Sequence, residues 1–247
     1  MFTNARNELR ADIIDRIGNY AANRPRALQT AVGCSALGTT CDRKLGYMLL
    51  GAVKQRRGTE SGWMASIGTA VHAWLETVFN ETDNYLTEQP ITVTHNDMTI
   101  PGTVDLYAKD SATVIDFKIV GESTLARAKA GRISQQYSVQ VQLYGLGLQQ
   151  AGHKVNKVAI MFLPRNKELV DAVLWEQSFD AQTARLAIDR YRNIALLVGA
   201  LGDKGLAQLS IEDAPCNWCD YFNPVATELA KGCPGKPLTT NINKLIV

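Results

Sequence analysis

Between residues 86 and 120 the chain runs through three β-branched, alternating segments, LTEQPITVTH, MTIPGTVDLYAK and ATVIDFKIV, broken by the turn-forming pairs Asn96-Asp97 and Asp110-Ser111. Segments of period two joined by such short turns pair side by side, so an antiparallel meander is expected here. What flanks it has a different period. Residues 5–20 place Leu9, Ile13, Ile17 and Tyr20 at helical spacing, and residues 68–80, GTAVHAWLETVFN, hold good helix formers with Gly68 and Thr69 as a start. Residues 134–151 put Tyr137, Val141, Tyr144 and Leu148 on one helical stripe, with Gly152 as its C-cap. VNKVAIMFLPR and ELVDAVLWEQ read as two more strands, and Asp180 as the N-cap of a long helix burying Ala184, Ile188, Tyr191, Ala195, Val198 and Leu201. Helices, three strands, a helix, two strands and a helix make an α/β core around a mixed sheet.

With 247 residues, 46% hydrophobic and 20% charged, the chain can bury a sizeable core, which excludes disorder, collagen and coiled coil. No Pro/Gly/Ser-rich linker divides it. One continuous domain over 1–247 is expected, with a helical part at 1–80, a core at 86–202 and a cysteine-rich tail at 203–247. No apolar run approaches the roughly 18 residues that span a bilayer, and the start, MFTNARNELRADIID, is acidic and amphipathic. A cytoplasmic protein with no membrane partner is expected. The net charge is only +2, so any nucleic-acid binding must come from local patches. Two exist: Arg43, Lys44, Lys54, Arg56 and Arg57 against Asp42, and Lys118, Arg127, Lys129 and Arg132 against Glu122. Each phosphate met by such a patch releases counterions.

Five cysteines is an odd number, which does not suit structural disulfides in a cytosolic chain. Cys34 and Cys41 lie near the start, and Cys216, Cys219 and Cys233 near the end, with none between. That asymmetry suggests a clasp joining the two ends. Four thiolates suit tetrahedral zinc as well as an iron-sulfur cluster.

In Ile115-Asp116-Phe117-Lys118, period two projects Asp116 and Lys118 from one face and turns Phe117 into the core. Asp105, in the preceding segment GTVDLY, can be brought beside Asp116 by hairpin pairing. Two carboxylates meeting at one point repel unless a cation bridges them, which favours a hard divalent metal. Lys118 beside that metal would orient an attacking water and meet a phosphate's charge. His72 and Glu76, four apart on a helix, share a face, and His72 is a candidate further ligand. Gln140 and Tyr144 also share a helical face, placed to contact nucleic acid or to hold Lys118. Singly, each has a bland alternative: a solvated ion pair, a core histidine, a helix surface.

In order and spacing the set resembles the RecB-like exonucleases of the PD-(D/E)XK nuclease superfamily. It is most similar to their iron-sulfur branch, with its CRISPR-associated and phage-encoded members. The motifs carrying the resemblance are Cys41 in CDRKLGY, Gly68-x-x-x-His72-x-x-x-Glu76, Asp105 in GTVDLY, Asp116-Phe117-Lys118, Gln140-x-x-x-Tyr144 and Cys216-x-x-Cys219. The resemblance implies a single restriction-endonuclease-like domain with a central mixed sheet flanked by helices, N-terminal helices and a C-terminal cluster-binding tail. It implies that His72, Asp105, Asp116 and the Phe117 carbonyl bind Mg or Mn, that Lys118 assists the nucleophilic water, and that Gln140, Tyr144 and Glu76 support the site. Arg43, Arg56 and Arg57 would contact DNA, as a single strand or at its ends, in recombination or repair. A recombination partner protein or a homo-oligomer is open. Cys41, Cys216, Cys219 and Cys233 would hold a 4Fe-4S cluster. The thirteen residues between Cys219 and Cys233 exceed the family's usual gap, leaving Cys34 as an alternative ligand. A catalytically silent DNA-binding module of the same fold, or a zinc-holding structural protein, are the rival readings.

Overall fold

A computed structural model describes residues 2–23, 32–55, 59–211 and 216–236. In chain order they form α1 (Phe2–Ala22), α2 (Cys34–Leu37), α3 (Asp42–Leu49), α4 (Thr59–Phe79), β1 (Tyr85–His95), β2 (Met98–Ala108), β3 (Thr113–Val120), α5 (Glu122–Lys129), α6 (Gln135–Gln150), β4 (Lys157–Pro164), β5 (Val173–Ser178) and α7 (Ala181–Leu201). Short 3-10 turns follow at Gly202–Gln208, Cys216–Trp218 and Leu229–Lys231. Arg56 and Arg57 lie outside the described residues. No described helix is long and apolar enough to cross a membrane.

The meander expected from 86–120 is present, and the sheet runs β1-β2-β3-β4-β5. The pair β3–β4 is parallel and every other pair antiparallel. A parallel pair needs a crossover, supplied here by α5 and α6. At the turns, Asn96 and Ala112 take φ of 52° and 50°. β4 is buried almost throughout, as a central strand should be, while β5 alternates half-buried with exposed.

Two compact units divide the chain: residues 1–38 with 58–192, and residues 39–57 with 193–247. In the first, Val71, Leu75 and Phe79 of α4 pack on Leu106, Ile115, Phe117, Met161 and Leu163 of the sheet. α6 is buried at every position from Val139 to Leu148, not along one stripe. Its Gly145 and Gly147 allow this, since a Cβ would lie 2.6 Å from the Phe179 ring and 2.6 Å from Ile91 respectively. Gly152 ends α6 at φ 92°, and Asp180 caps α7 by accepting from Gln182 N at 2.9 Å.

Three expectations shift. α4 begins at Thr59, so Gly68 is interior to the helix; helix formers in WMAS carry it upstream. On α7 the buried position is Ile194 rather than Ala195, and Leu201 is 47% exposed at the helix end. α1 is a helix that packs on α4, but the stripe Leu9, Ile13, Ile17 and Tyr20 is exposed, Tyr20 by 77%, while Ala21 is buried. Periodicity tells which face is apolar, not what covers it.

In the second unit, α3 turns Leu45, Gly46 and Tyr47 inward. A Cβ on Gly46 would sit 2.6 Å from Leu209, and the Tyr47 ring stacks on Tyr221 at 5.0 Å. Tyr47 also donates to the Leu229 carbonyl at 2.7 Å.

Candidate catalytic site and cysteine site

The β2–β3 ladder pairs Ala108 with Thr113, Tyr107 with Val114 and Leu106 with Ile115, then stops. Its next rung would join Asp105 to Asp116. The strands part there, which frees both carboxylates and leaves the Phe117 N–H without a ladder acceptor. Asp105 supplies one: its Oδ2 accepts from Phe117 N at 2.8 Å. Asp105 Oδ1 faces His72 Nδ1, from α4, at 3.5 Å. Phe117 itself is buried under α4, edge-on to the His72 ring at 6.3 Å.

Asp116 is 1% exposed. Its Oδ1 accepts from Gln140 Nε2 at 2.8 Å and from Lys118 Nζ at 3.2 Å. Its Oδ2 is ion-paired with Lys118 Nζ at 2.9 Å, takes no well-directed hydrogen bond and is sealed from solvent. A carboxylate buried in this way beside a second one, Asp105, suits a hard cation. Gln140 Oε1 accepts from Lys118 at 3.2 Å, and its Nε2 donates also to Tyr144 Oη at 2.8 Å. One amide from α6 thus holds the aspartate and the lysine of β3 together.

The electrostatics follow. Burial pushes the Asp116 carboxyl up, Lys118 pulls it back, and Asp105 adds to the rise. Burial works against the Lys118 charge, but Asp116 outweighs it and holds the ammonium above the usual lysine range. His72 is raised by its hydrogen bond to Asp105 against the opposing effect of burial, with Asp116 and Glu88 adding to the rise. Tyr144 is raised well above the phenol range, chiefly by burial.

The third carboxylate here was missed by the sequence reading. Glu88 Oε1 lies 3.8 Å from His72 Nδ1, and His72, Glu88 and Asp105 each offer a ligand atom within 4.8 Å of the others. The β1–β2 ladder skips Glu88, pairing Thr87 with Leu106 and Gln89 with Val104, and Glu88 takes φ 44°. The register is the same on either side, so no residue is inserted: Glu88 stands directly opposite Asp105, which puts the two carboxylates on one face of the sheet. Glu76, expected to support the site, is not among the residues gathered with His72; the carboxylate beside the histidine comes from β1, opposite Asp105, and not from α4.

Cys41, Cys216, Cys219 and Cys233 all fall in the second unit. Cys41 caps α3, its Sγ accepting from Lys44 N at 3.3 Å, and its thiol is raised by burial and by the charges of Cys219, Cys233 and Cys216. The long spacing before Cys233 is an excursion out and back: Phe222 and Cys233 form a parallel bridge, and Cys233 N donates to Tyr221 O at 2.8 Å. Cys34 belongs to the first unit, where it is buried with Sγ 2.9 Å from where a Gly102 Cβ would stand; burial pushes its thiol up to about 12. Arg43 turns inward instead of toward a strand. Its guanidinium donates to Leu206 O at 2.9 Å, Leu209 O at 3.4 Å and Cys233 Sγ at 3.9 Å.

Among solved structures the chain is similar to SSO0001, with TM-score 0.51 and 14% identity over 93% of this chain and 98% of that one. The two share a fold. The chain is also similar to an alkaline exonuclease, LHK-Exo, from Laribacter hongkongensis (TM-score 0.47, 12% identity, 70% of this chain and 89% of that one). A third is a phage-related exonuclease from Haemophilus somnus 129PT (TM-score 0.49, 13% identity, 70% and 96%). No family model and no curated protein matches the sequence.

Proposed function

We propose that this chain is a divalent-metal-dependent deoxyribonuclease that hydrolyses phosphodiester bonds, acting as an exonuclease on single strands or DNA ends. The observation that carries the reading is the parting of β2 and β3 at Asp105 and Asp116, which leaves two buried carboxylates free of the ladder, with the Lys118 ammonium 2.9 Å from one of them. Asp105, Asp116, His72 and the Phe117 carbonyl would hold Mg or Mn, with Glu88 beside them. When bound, Mg or Mn would supply Lewis acidity at the phosphate and at an attacking water. Lys118 would orient the attacking water and meet the charge that builds on the phosphate. Gln140 keeps Lys118 and Asp116 in register, and Tyr144 fixes Gln140.

The cysteines Cys41, Cys216, Cys219 and Cys233 fit a 4Fe-4S cluster with a structural role. What supports this is their gathering in one unit with N–H donors aimed at sulfur, Lys44 N at Cys41 and Arg43 at Cys233. Soft thiolates and hard carboxylates divide the two centres between them.

The test is digestion of end-labelled single- and double-stranded DNA with Mg or Mn, against a chelator and against Asp116→Ala. Progressive shortening that needs the metal and vanishes in the variant is expected. Full activity in Asp116→Ala would overturn the site. Iron and sulfide content of purified protein tests the cluster, and zinc in their place would refute it.

A further inference from the structure

Lys118 presents a difficulty that Asp116 and Gln140 alone do not solve. Its ammonium is drawn to Asp116 at 2.9 Å, yet a divalent cation at this site would claim the same carboxylate and repel the lysine. What keeps Lys118 in place then must be neutral. Gln140 Oε1 is one neutral acceptor. The other is a ring: Lys118 Nζ lies 4.9 Å from the centroid of Tyr137, within the range where an aromatic face attracts a cation. The ring is firmly mounted. Tyr137 stands in the first turn of α6, where Ser134 Oγ accepts from its backbone N–H at 3.3 Å, and it leans on Phe162, which is 1% exposed, at 6.2 Å between centroids.

We propose that Tyr137 is a positioning residue of this site, its ring face holding the Lys118 ammonium in place when a divalent cation occupies Asp116. The inference rests on the nuclease reading for its consequence, but the seat itself can be measured without turnover. The sequence pattern treats Tyr137 as one more apolar position on a helix stripe. The structure leaves it half-buried, with its face given to the lysine.

The experiment compares wild type, Tyr137→Phe and Tyr137→Leu. In the first arm, Lys118 acetylation is followed by mass spectrometry with and without Mg, in the absence of DNA. Labelling of Lys118 should rise about tenfold in Mg-loaded Tyr137→Leu, the scale of a lost desolvated cation–π contact, and stay near wild type in Tyr137→Phe. The second arm measures steady-state digestion. Tyr137→Leu should lower kcat about tenfold with little change in KM, and Tyr137→Phe should recover most of that loss. If Tyr137→Leu misfolds by thermal melt, Tyr137→Met takes its place. Lys118 protection in the Mg-loaded leucine variant equal to wild type would overturn the proposal, as would a phenylalanine variant as impaired as the leucine one. Wild-type protein with no Mg-dependent digestion would defeat the nuclease reading, while the labelling arm would still decide the seat.

Discussion

Asp105 Oδ2 accepts the backbone N–H of Phe117 at 2.8 Å, so the same carboxylate that faces His72 also closes the gap where β2 and β3 separate. Its two oxygens have different duties. Asp105→Asn keeps an acceptor for the N–H and loses the charge; Asp105→Ala loses both. Asn should therefore fold like wild type while losing metal binding and at least about 100-fold in activity. Ala should in addition lose about 1–3 kcal/mol of stability from the orphaned N–H. Thermal melts and Mg titrations of the two variants check this, and equal melting points would refute it.

Glu88 occupies a backbone conformation that favours glycine, φ 44°. Glu88→Gly removes the strain and the carboxylate together. The metal-free variant should gain up to about 1 kcal/mol of stability and bind Mn more weakly than wild type. A variant that is both less stable and equally good at binding Mn would show that this backbone conformation serves something else.

A cation needs the His72 nitrogen bare, and this imidazole holds its proton to a higher pH than a free histidine because Asp105 bonds it. Below its raised pKa, metal must displace a proton; above it, none. Mn affinity should climb as pH rises through that pKa and level off above it, the climb lying at higher pH than for a free imidazole. The slope should shrink in His72→Ala. Calorimetric titration across that range reads it directly.

At the cysteine site, Cys219→Ala should lose bound metal and melt at a lower temperature, while Cys34→Ala should keep its metal. Because burial holds the Cys34 thiol up to about 12, native protein at pH 8 should leave Cys34 unalkylated by iodoacetamide, with reaction only on unfolding. Mass spectrometry of native and denatured samples distinguishes the two.

Arg43→Gln should impair the cysteine site and leave DNA affinity at low salt unchanged, since its donors serve Leu206, Leu209 and Cys233. Loss of DNA affinity with intact metal content would return Arg43 to the strand.

How legible all this was depends on whether the signal was periodic. Asp116 and Lys118 share a face because strands alternate, and Asp105 reaches them because the hairpin register is set by its turn; both were readable. Glu88 follows from the same register, which sets it opposite Asp105 between the pairs Thr87–Leu106 and Gln89–Val104, but a lone glutamate in an alternating strand carries no motif to single it out. α5 is eight residues long and went unnoticed among the basic residues of 118–132. Charge alone placed Arg43 on a surface patch; only the fold shows carbonyls and a thiol closing around its guanidinium.

The second unit is assembled from 39–57 and 193–247, with residues 58–192 of the first unit, its whole sheet included, made between them. On a ribosome adding about 5–20 residues per second, Cys41 waits on the order of ten seconds for Cys216 and its neighbours to emerge. The sheet and its carboxylates are complete before that moment. Newly made chains thus pass through an interval in which the proposed carboxylate site is formed and the thiols are still apart, so any metal that the cysteines hold would be delivered later than one held by the carboxylates.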